Sequence, residues 1–555
     1  MSVKFSNNAF GTLSAGITNS ATSITLSSGQ GARFPSLSTG EYFYATLIDT
    51  SNNLEVIKVT ARSSDVLTAT RAQESTTARA FAIGDRVELR VTAQGLTDAA
   101  NPYDKDTSST GSFALPSGTT AQQPTAADTE GHIRYDTDDN VVYFSNGTNW
   151  LKISAVLSTL SSVTGVLYAG FTSTLTLTGK GFQTSNLVVN FTQSSDSIDE
   201  DVTVTPASDT SATVTVPAAV YNNVTAGNVV TITVTNSDGI ESAGQTITAV
   251  ALPSGGTVTT SGSTRTHKFT SSGSFVNTVN NLSLDVLIVG GGGAGGASLS
   301  GGGGGGGVGY ATGLSKNAGT YTITVGAGGA GPNSTNVPGG NGGSSSAFGQ
   351  TITGGSGAPS RYSSVPGNSS ANGGGGSNGT NTRTGSDGTK PTAISGFTTY
   401  GGFDGGDVAS GAVGSNNYPG AGGAGAGGNG ESRSSSSSAG GNGGNGVQNN
   451  ILGTNYYWAG GGGGSSYTGS NGGGNGGLGG GGGGSCNTGT AGTGGGSALN
   501  TGGNGTSGNG DSGANDDGGA GGANTGGGGG AASHEGDNLD GDGGSGIVVI
   551  KYTLS

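Results

Sequence analysis

The chain has 555 residues, of which 120 are glycine, 13 proline and one cysteine, with 30% hydrophobic residues, 10% charged residues and a net charge of −14. Glycine at several times its usual ~7% share, with so little proline, excludes a collagen triple helix. The lone Cys486 excludes an internal disulfide scaffold, and the acidic balance argues against holding nucleic acid or anionic lipid through a basic face.

The start, "MSVKFSNNAFGTLSAG", lacks the charged flank and apolar centre of a secretory signal. No stretch approaches the ~20 apolar residues of a membrane helix. The length suggests roughly three or four domains. Residues 1–100 read as a small β module. "EYFYATLID", "NLEVIKVTAR" and "DRVELRVT" are short, rich in β-branched and aromatic residues, and bounded by turn formers. In the last of these Val87, Leu89 and Val91 alternate with charged residues, so one face is inward and one wet. "VTAQGLTDAANP" suggests one short helix.

Residues 101–153 open on a polar linker and continue as "LPSGTTAQQPTAADTEGHIRYDTDDNVVYFSNGTNWLKI". Strand signals at "GHIRYDT", "NVVYFSN" and "WLKI", joined by Asp/Asn turns, predict a small meander packed by Tyr135, Tyr143, Phe144 and Trp150. The run resembles a motif of bacteriophage tail-fibre proteins, in which "LP.GTT..RP" leads to an "IRYNT" strand and a "GTNW" turn; "AQQP" departs from it by lacking an arginine. "RFPSLSTGEYFYATLID" and "TARAFAIGDRVELRVT" in the first hundred residues look like N-terminal tail-fibre modules, which implies a virion-proximal end.

Residues 154–252 carry strand signals every 8 to 12 residues, the spacing of a β-sandwich. "LTLTGKGF", "VTVP" and "ITVTNSDGIES" resemble the IPT/TIG immunoglobulin-like family, with Gly179, Gly181, Phe182, Pro217, Asn236 and Gly239 at matching positions. That likeness implies a spacer or binding domain and names no ligand.

From 253 to 555 glycine dominates. The apolar runs Val286–Val289 and Ile547–Ile550 bracket it and fit strands buried on both faces, so the strands near 264–289 and 546–554 are predicted to pair and frame a glycine-rich insertion. Composition alone favours a flexible linker. Uninterrupted tracts such as Gly301–Gly307 and aromatic clusters such as "NYYWAG" favour order instead. Glycine chains can bundle because their amides bond to neighbours where a Cβ would hold the backbones apart. This pattern resembles the polyglycine-helix bundles of phage receptor-binding adhesins. The predicted fold class is therefore all-β: small N-terminal β modules, an Ig-like sandwich and a β-framed polyglycine II helix bundle.

Nothing in the sequence marks a catalytic site, an enzyme or a cofactor. The three histidines form no recognisable triad, and the glycine tracts are too repetitive for a dinucleotide fingerprint. Asp537, Asp540 and Asp542 are spaced to offer oxygens to Ca²⁺, but the EF-hand pattern is missing and a solvated acidic turn is the favoured reading. Aromatics among the glycines are the receptor-binding candidates: Tyr362, Tyr400, Tyr418, Tyr456, Tyr457, Trp458 and Tyr467. Their alternative role is to plug or cap the bundle, the role read for Phe397 and Phe403. Arg361, Arg383 and Arg433 can meet anionic groups or simply be solvated.

The resemblances imply a tail-fibre protein, made in the host cytoplasm, that joins other virion tail proteins by its N-terminal part. Its glycine-rich tip would bind a polysaccharide or outer-membrane protein of the host, without membrane insertion. Fibre proteins are often homotrimers, though no heptad stalk enforces that here. The alternatives are a cellular adhesion or matrix protein, and a tailspike depolymerase acting on host polysaccharide.

Overall fold

The computed structural model describes residues 2–100, 115–153, 158–183, 185–237, 239–361, 370–378, 384–409, 418–434, 439–468, 472–508, 516–533 and 541–554. The chain divides into two compact units, Met1–Ala155 and Val156–Ser555. Among the described residues its regular elements are β-strands, apart from three short 3-10 turns and two helices, α1 (Ala93–Ala100) and α2 (Ala218–Tyr221).

The first unit begins with a seven-stranded sheet. Its strands are β1 (Ser2–Val3), β2 (Phe10–Thr12), β3 (Ser23–Thr25), β4 (Glu41–Ile48), β5 (Leu54–Ser63), β6 (Val66–Gln73) and β7 (Arg86–Glu88). They lie in the order β2-β7-β4-β5-β6-β3, with β1 parallel to β4. Phe34, Phe43, Leu47, Ile57, Leu67 and Val87 form the core. One ion pair is sealed into it. Arg71 donates to both oxygens of fully buried Glu55 at 2.8 and 2.6 Å, and the amides of Ala72 and Arg79 supply two more donors at 2.9 Å. Burial raises the Glu55 pKa, but these donors outweigh it and hold the carboxyl below its ordinary value.

The meander follows: β8 (Ser117–Gly118), β9 (Ile133–Asp136), β10 (Val141–Ser145) and β11 (Trp150–Ile153), in the order β11-β10-β9-β8. Its covered face is polar. Arg134 donates to the Thr119 carbonyl at 3.0 Å, Ser145 Oγ to the Ala126 carbonyl at 2.9 Å, and Trp150 Nε1 to the Pro124 carbonyl at 2.7 Å.

In the second unit, a sandwich pairs two sheets over one apolar core. One sheet holds β12 (Thr159–Thr164), β13 (Thr174–Lys180) and β16 (Ser211–Thr215). The other holds β14 (Leu187–Gln193), β15 (Ile198–Val204), β17 (Val229–Thr235) and β18 (Gln245–Thr248). Strand β13 alternates strictly, burying Leu175 and Leu177 while its threonines face water.

The glycine-rich part is organised by a six-stranded sheet in the order β19-β20-β30-β22-β23-β27. These are β19 (Thr257–Ser261), β20 (Thr264–Phe269), β22 (Leu282–Val289), β23 (Val308–Lys316), β27 (Thr398–Tyr400) and β30 (Ile547–Thr553). Three smaller pairs join β21 (Gly273–Asn277) to β24 (Gly319–Ile323), β25 (Ser345–Ala347) to β26 (Gln350–Ile352), and β28 (Val447–Asn449) to β29 (Tyr456–Trp458). Strand β30 lies between β20 and β22, with Val286 opposite Ile550 and Val289 opposite Ile547. Side chains alternate to two separate cores. Leu284, Val286, Ile288, Val548 and Ile550 join Phe275 and Phe348 on one face, while Leu287, Val289, Ile547 and Val549 join Trp458 and Ile451 on the other.

The predicted polyglycine II helix bundle is corrected accordingly: the regular elements of 253–555 are β-strands, and its described residues contain no helix. The physical reason lies in the energies. An amide bond contributes ~0.5–1.5 kcal/mol net, against ~1–2 kcal/mol of backbone entropy per ordered residue, so amides alone do not carry the domain. The two-faced sheet supplies the apolar burial that tips the balance.

Glycine runs connect these strands, and their amides bond between runs. Gly302 and Gly305 donate to Ala421 and Ala424, Gly303 and Gly306 to Gly529 and Gly526, and Gly304 and Gly307 to Ser356 and Thr353, at 2.8–3.0 Å. A Cβ on Gly303 would land on the Gly293 carbonyl oxygen, and one on Gly462 on that of Gly529. Backbone cannot swing aside as a side chain can. Gly303→Ala is therefore expected to cost at least ~1–3 kcal/mol, whereas Gly496→Ala, which meets nothing within 4 Å, stays within ~0.5 kcal/mol. Thermal unfolding of the two full-length variants checks the contrast.

His267 ties the two ends of the domain together. Its Nδ1 donates to the Gly255 carbonyl at 2.7 Å, which leaves Nε2 of the neutral ring to accept from the Tyr552 hydroxyl at 2.9 Å. Burial holds its pKa below the ordinary value and pushes the Tyr552 hydroxyl up to about 12. The unfolded chain takes up a proton below about pH 6.5 that the folded ring resists. Stability is thus complete above about pH 6.5 and declines as the pH falls from there toward the folded pKa. The melting midpoint is expected to hold above about pH 6.5 and to drop as the pH falls below it, and His267→Phe to flatten that fall.

Candidate functional site

The glycine runs start at the sheet and end in a common layer of serines. Ser300 is its hub: its carbonyl accepts from the amide and hydroxyl of Ser465 at 3.1 and 3.0 Å, and its own hydroxyl donates to the Pro359 carbonyl. Asn378 donates from its amide to Leu299 at 3.0 Å, Ser377 Oγ to the Ser360 carbonyl at 3.2 Å, and the Gly420 amide to the Ser465 carbonyl at 2.8 Å. Ser466 reaches Ser485 and the buried Cys486, Ser485 reaches Ala531, and Ala532 returns to Gly296. Serine suits this position because a short hydroxyl caps a neighbour's carbonyl where the amide ladder stops.

On this layer stands a small aromatic and cationic group. The rings of Tyr418 and Tyr467 meet edge to face with centroids 6.1 Å apart, and the Arg361 guanidinium carbon lies 5.3 Å from the Tyr418 centroid. That distance is within cation–π range. All three residues are half-buried, so each keeps part of its surface for a partner. Two tyrosine faces beside a guanidinium can stack on an apolar ring face and bind an anionic or hydroxyl oxygen. Among the described residues the group holds no nucleophile paired with a base.

The structure separates the seven aromatic candidates. Tyr418 and Tyr467 are together at the serine layer. Tyr400 is at the other end of the runs, opposite Val308 on edge strand β27, and is 38% exposed. Gly301–Gly307, at most about 25 Å of extended chain, intervenes between Ser300 and Val308. Tyr456, Tyr457 and Trp458 form β29 and pair with β28, while Tyr362 lies outside the described residues.

Trp458 requires a correction. It is fully buried against Leu287, Val289, Val308 and Val549, so it is a core residue rather than a receptor contact. Its ring also meets Tyr456 edge to face at 6.1 Å. Three consecutive aromatics on a strand send the middle one to the opposite face, and no local pattern told which face was covered. Arg361, which the sequence offers to anionic groups or to solvent, stands beside the Tyr418 ring.

Of the Ca²⁺ candidates, Asp537 and Asp540 lie outside the described residues. Asp542 accepts from the Gly331 amide at 2.5 Å. Among the described residues no group of three or more His, Cys, Asp or Glu is placed to hold a metal ion. Arg433 forms an ion pair with Glu431, and Arg383 lies outside the described residues. Phe397 packs in the core beside Phe348.

Residues 269–515 match the model of a glycine-rich domain family. That match spans the serine layer, covers less than half of the chain, and specifies no ligand. No curated protein matches the chain. The tail-fibre and IPT/TIG likenesses fall outside the matched residues and rest on their motifs alone.

Trp458→Ala is expected to destabilise the glycine-rich domain by ~3–5 kcal/mol, the range for emptying a buried aromatic site. Tyr457→Ala, half-buried, should cost far less. Denaturant unfolding of the two variants separates a core role from a surface one.

Proposed function

We propose that this chain is an attachment protein of a bacteriophage tail. Its N-terminal part joins the particle, and the serine-layer end of its glycine-rich domain binds the host cell surface. One observation carries the reading: the hydrogen-bonded runs deliver their ends, with Tyr418, Tyr467 and Arg361, to a single layer remote from the two-faced sheet. A rigid scaffold with its variable segments gathered at one end is the general architecture of recognition proteins. The tail-fibre motifs of the N-terminal half support the placement on a virion.

The mechanism is binding, with no bond made or broken. Tyrosine gives rigid amphipathic contact area at small entropic cost, which suits a saccharide or a protein loop. The low affinity of one small site is offset on a particle carrying several copies, because each further contact is intramolecular.

Tyr418→Ala combined with Tyr467→Ala is expected to lower adsorption of the particle to host cells at least tenfold, with particle yield and melting midpoint unchanged. Unaltered adsorption at unaltered stability overturns the assignment of this end as the receptor site. Release of sugar fragments from host polysaccharide by the purified chain overturns the non-enzymatic mechanism.

A further inference from the structure

A cavity of about 380 Å³ lies where residues 116–124 meet strands β9 and β11 of the meander. That volume is in the range of small-molecule sites. Pro116, Pro124, Ile133 and Trp150 give it apolar walls, and the indole is pinned by its Nε1 bond to the Pro124 carbonyl. Arg134 lines it too. Strand register sets Arg134 opposite Tyr143 and Trp150 opposite Ser145, so guanidinium and indole share one face of the sheet.

Arg134 is 5% exposed, and its donors are only partly used. Nη2 donates to the Thr119 carbonyl, whereas Nη1 is buried with no hydrogen-bond partner. Arg134 joins none of the ion pairs among the described residues. Asp136, next on the same face, accepts at Oδ1 from the Thr120 hydroxyl and the Asp138 and Asp139 amides at 3.0–3.2 Å. Its Oδ2 has no partner either, and it does not line the cavity.

A buried guanidinium N–H without an acceptor is costly, because the group has given up water and gained nothing in return. Arg134 is the one permanent charge among the lining residues, and no carboxylate lines the cavity. Gln122, also in the wall, accepts at its carbonyl from the Thr119 amide at 3.0 Å, which leaves its NH₂ to donate. Donors beside apolar walls fit an apolar body that carries one carboxylate, the group a guanidinium matches in shape and charge. A sugar acid fits worse, since its ring hydroxyls would face the two prolines, Ile133 and the indole.

We propose that this cavity binds a monocarboxylate whose apolar body has the size of an aromatic side chain. Arg134 Nη1 donates to the carboxylate, and Trp150 packs against the body. Free aromatic acids carry this chemistry, and so does the apolar C-terminal residue of a polypeptide. The inference stands independently of the receptor site proposed at the serine layer.

Calorimetric titration of the full chain tests it, with N-acetylphenylalanine as the probe. Saturable binding is expected below about 10 mM. The probe's amide, which lacks the charge, and glucuronate, which lacks the apolar ring, are each expected to bind at least tenfold more weakly. Arg134→Gln is expected to weaken the probe at least tenfold. Because that change also removes a bond of the covered face, Ile133→Asp is the second variant. Ile133 is 43% exposed, so the fold tolerates the change, and the added carboxylate repels the probe with a similar loss. Absence of binding to the wild type, equal or tighter binding of either analogue, or unaltered affinity in Ile133→Asp overturns the proposal. A peptide ending in free phenylalanine separates the two sources. Binding at least tenfold tighter than the probe assigns the site to a chain end, and equal or weaker binding assigns it to a free acid; both support the proposal.

Discussion

A carbonyl oxygen stands where a side chain would begin. That constraint governs residues 290–307 and the runs packed about them, because a Cβ on Gly293 meets the Ser356 oxygen, one on Gly303 the Gly293 oxygen and one on Gly305 the Ala459 oxygen. Backbones at such spacing satisfy their own donors and acceptors, so a domain interior nearly free of side chains leaves its polar groups paired. Order won this way is costly, since glycine gives up more conformational freedom than any other residue. The sheet meets that cost. Its strands sort valine, isoleucine and leucine to two cores, and the pair β22 and β30 belongs to both.

Two kinds of matter thus divide the work. Side chains anchor one end, where Trp458, Phe275 and the His267–Tyr552 contact lock the strands. Bare backbone spans the distance from there to the serine layer, where side chains return as short hydroxyls and then as Tyr418, Tyr467 and Arg361. The spanning part offers few side chains, so the chemical variety of this domain is gathered at its two ends.

The sequence was most readable where period and burial coincide. The unbroken runs Val286–Val289 and Ile547–Ile550 announce strands with two covered faces, and they are neighbours in the sheet. Alternation at Leu175 and Leu177 likewise gives the inward face of β13. Glycine defeated the same reasoning. Lacking a side chain it has no period, so the reading gave to a helix bundle a domain whose regular elements are strands. Trp458 was misjudged because the burial of a lone strand residue depends on partners far off in the chain, here Leu287 and Ile547. In the meander, Phe144 and Trp150 looked like equivalent packing residues, yet the register sends them to opposite faces. Nothing local distinguishes a sheet whose polar face is the covered one.

Strand β30 occupies an interior place in the sheet, between β20 and β22. Some 250 residues separate it from β22, and a ribosome takes roughly 10–50 s to make them at ~5–20 residues per second. Throughout that interval the nascent glycine segments have half a sheet to lean on, and two strand edges stay unpaired. Folding of this domain is therefore deferred until translation has passed its final strand. A message cut short anywhere in the glycine coding region yields a product with an open sheet, a ready substrate for proteases and chaperones.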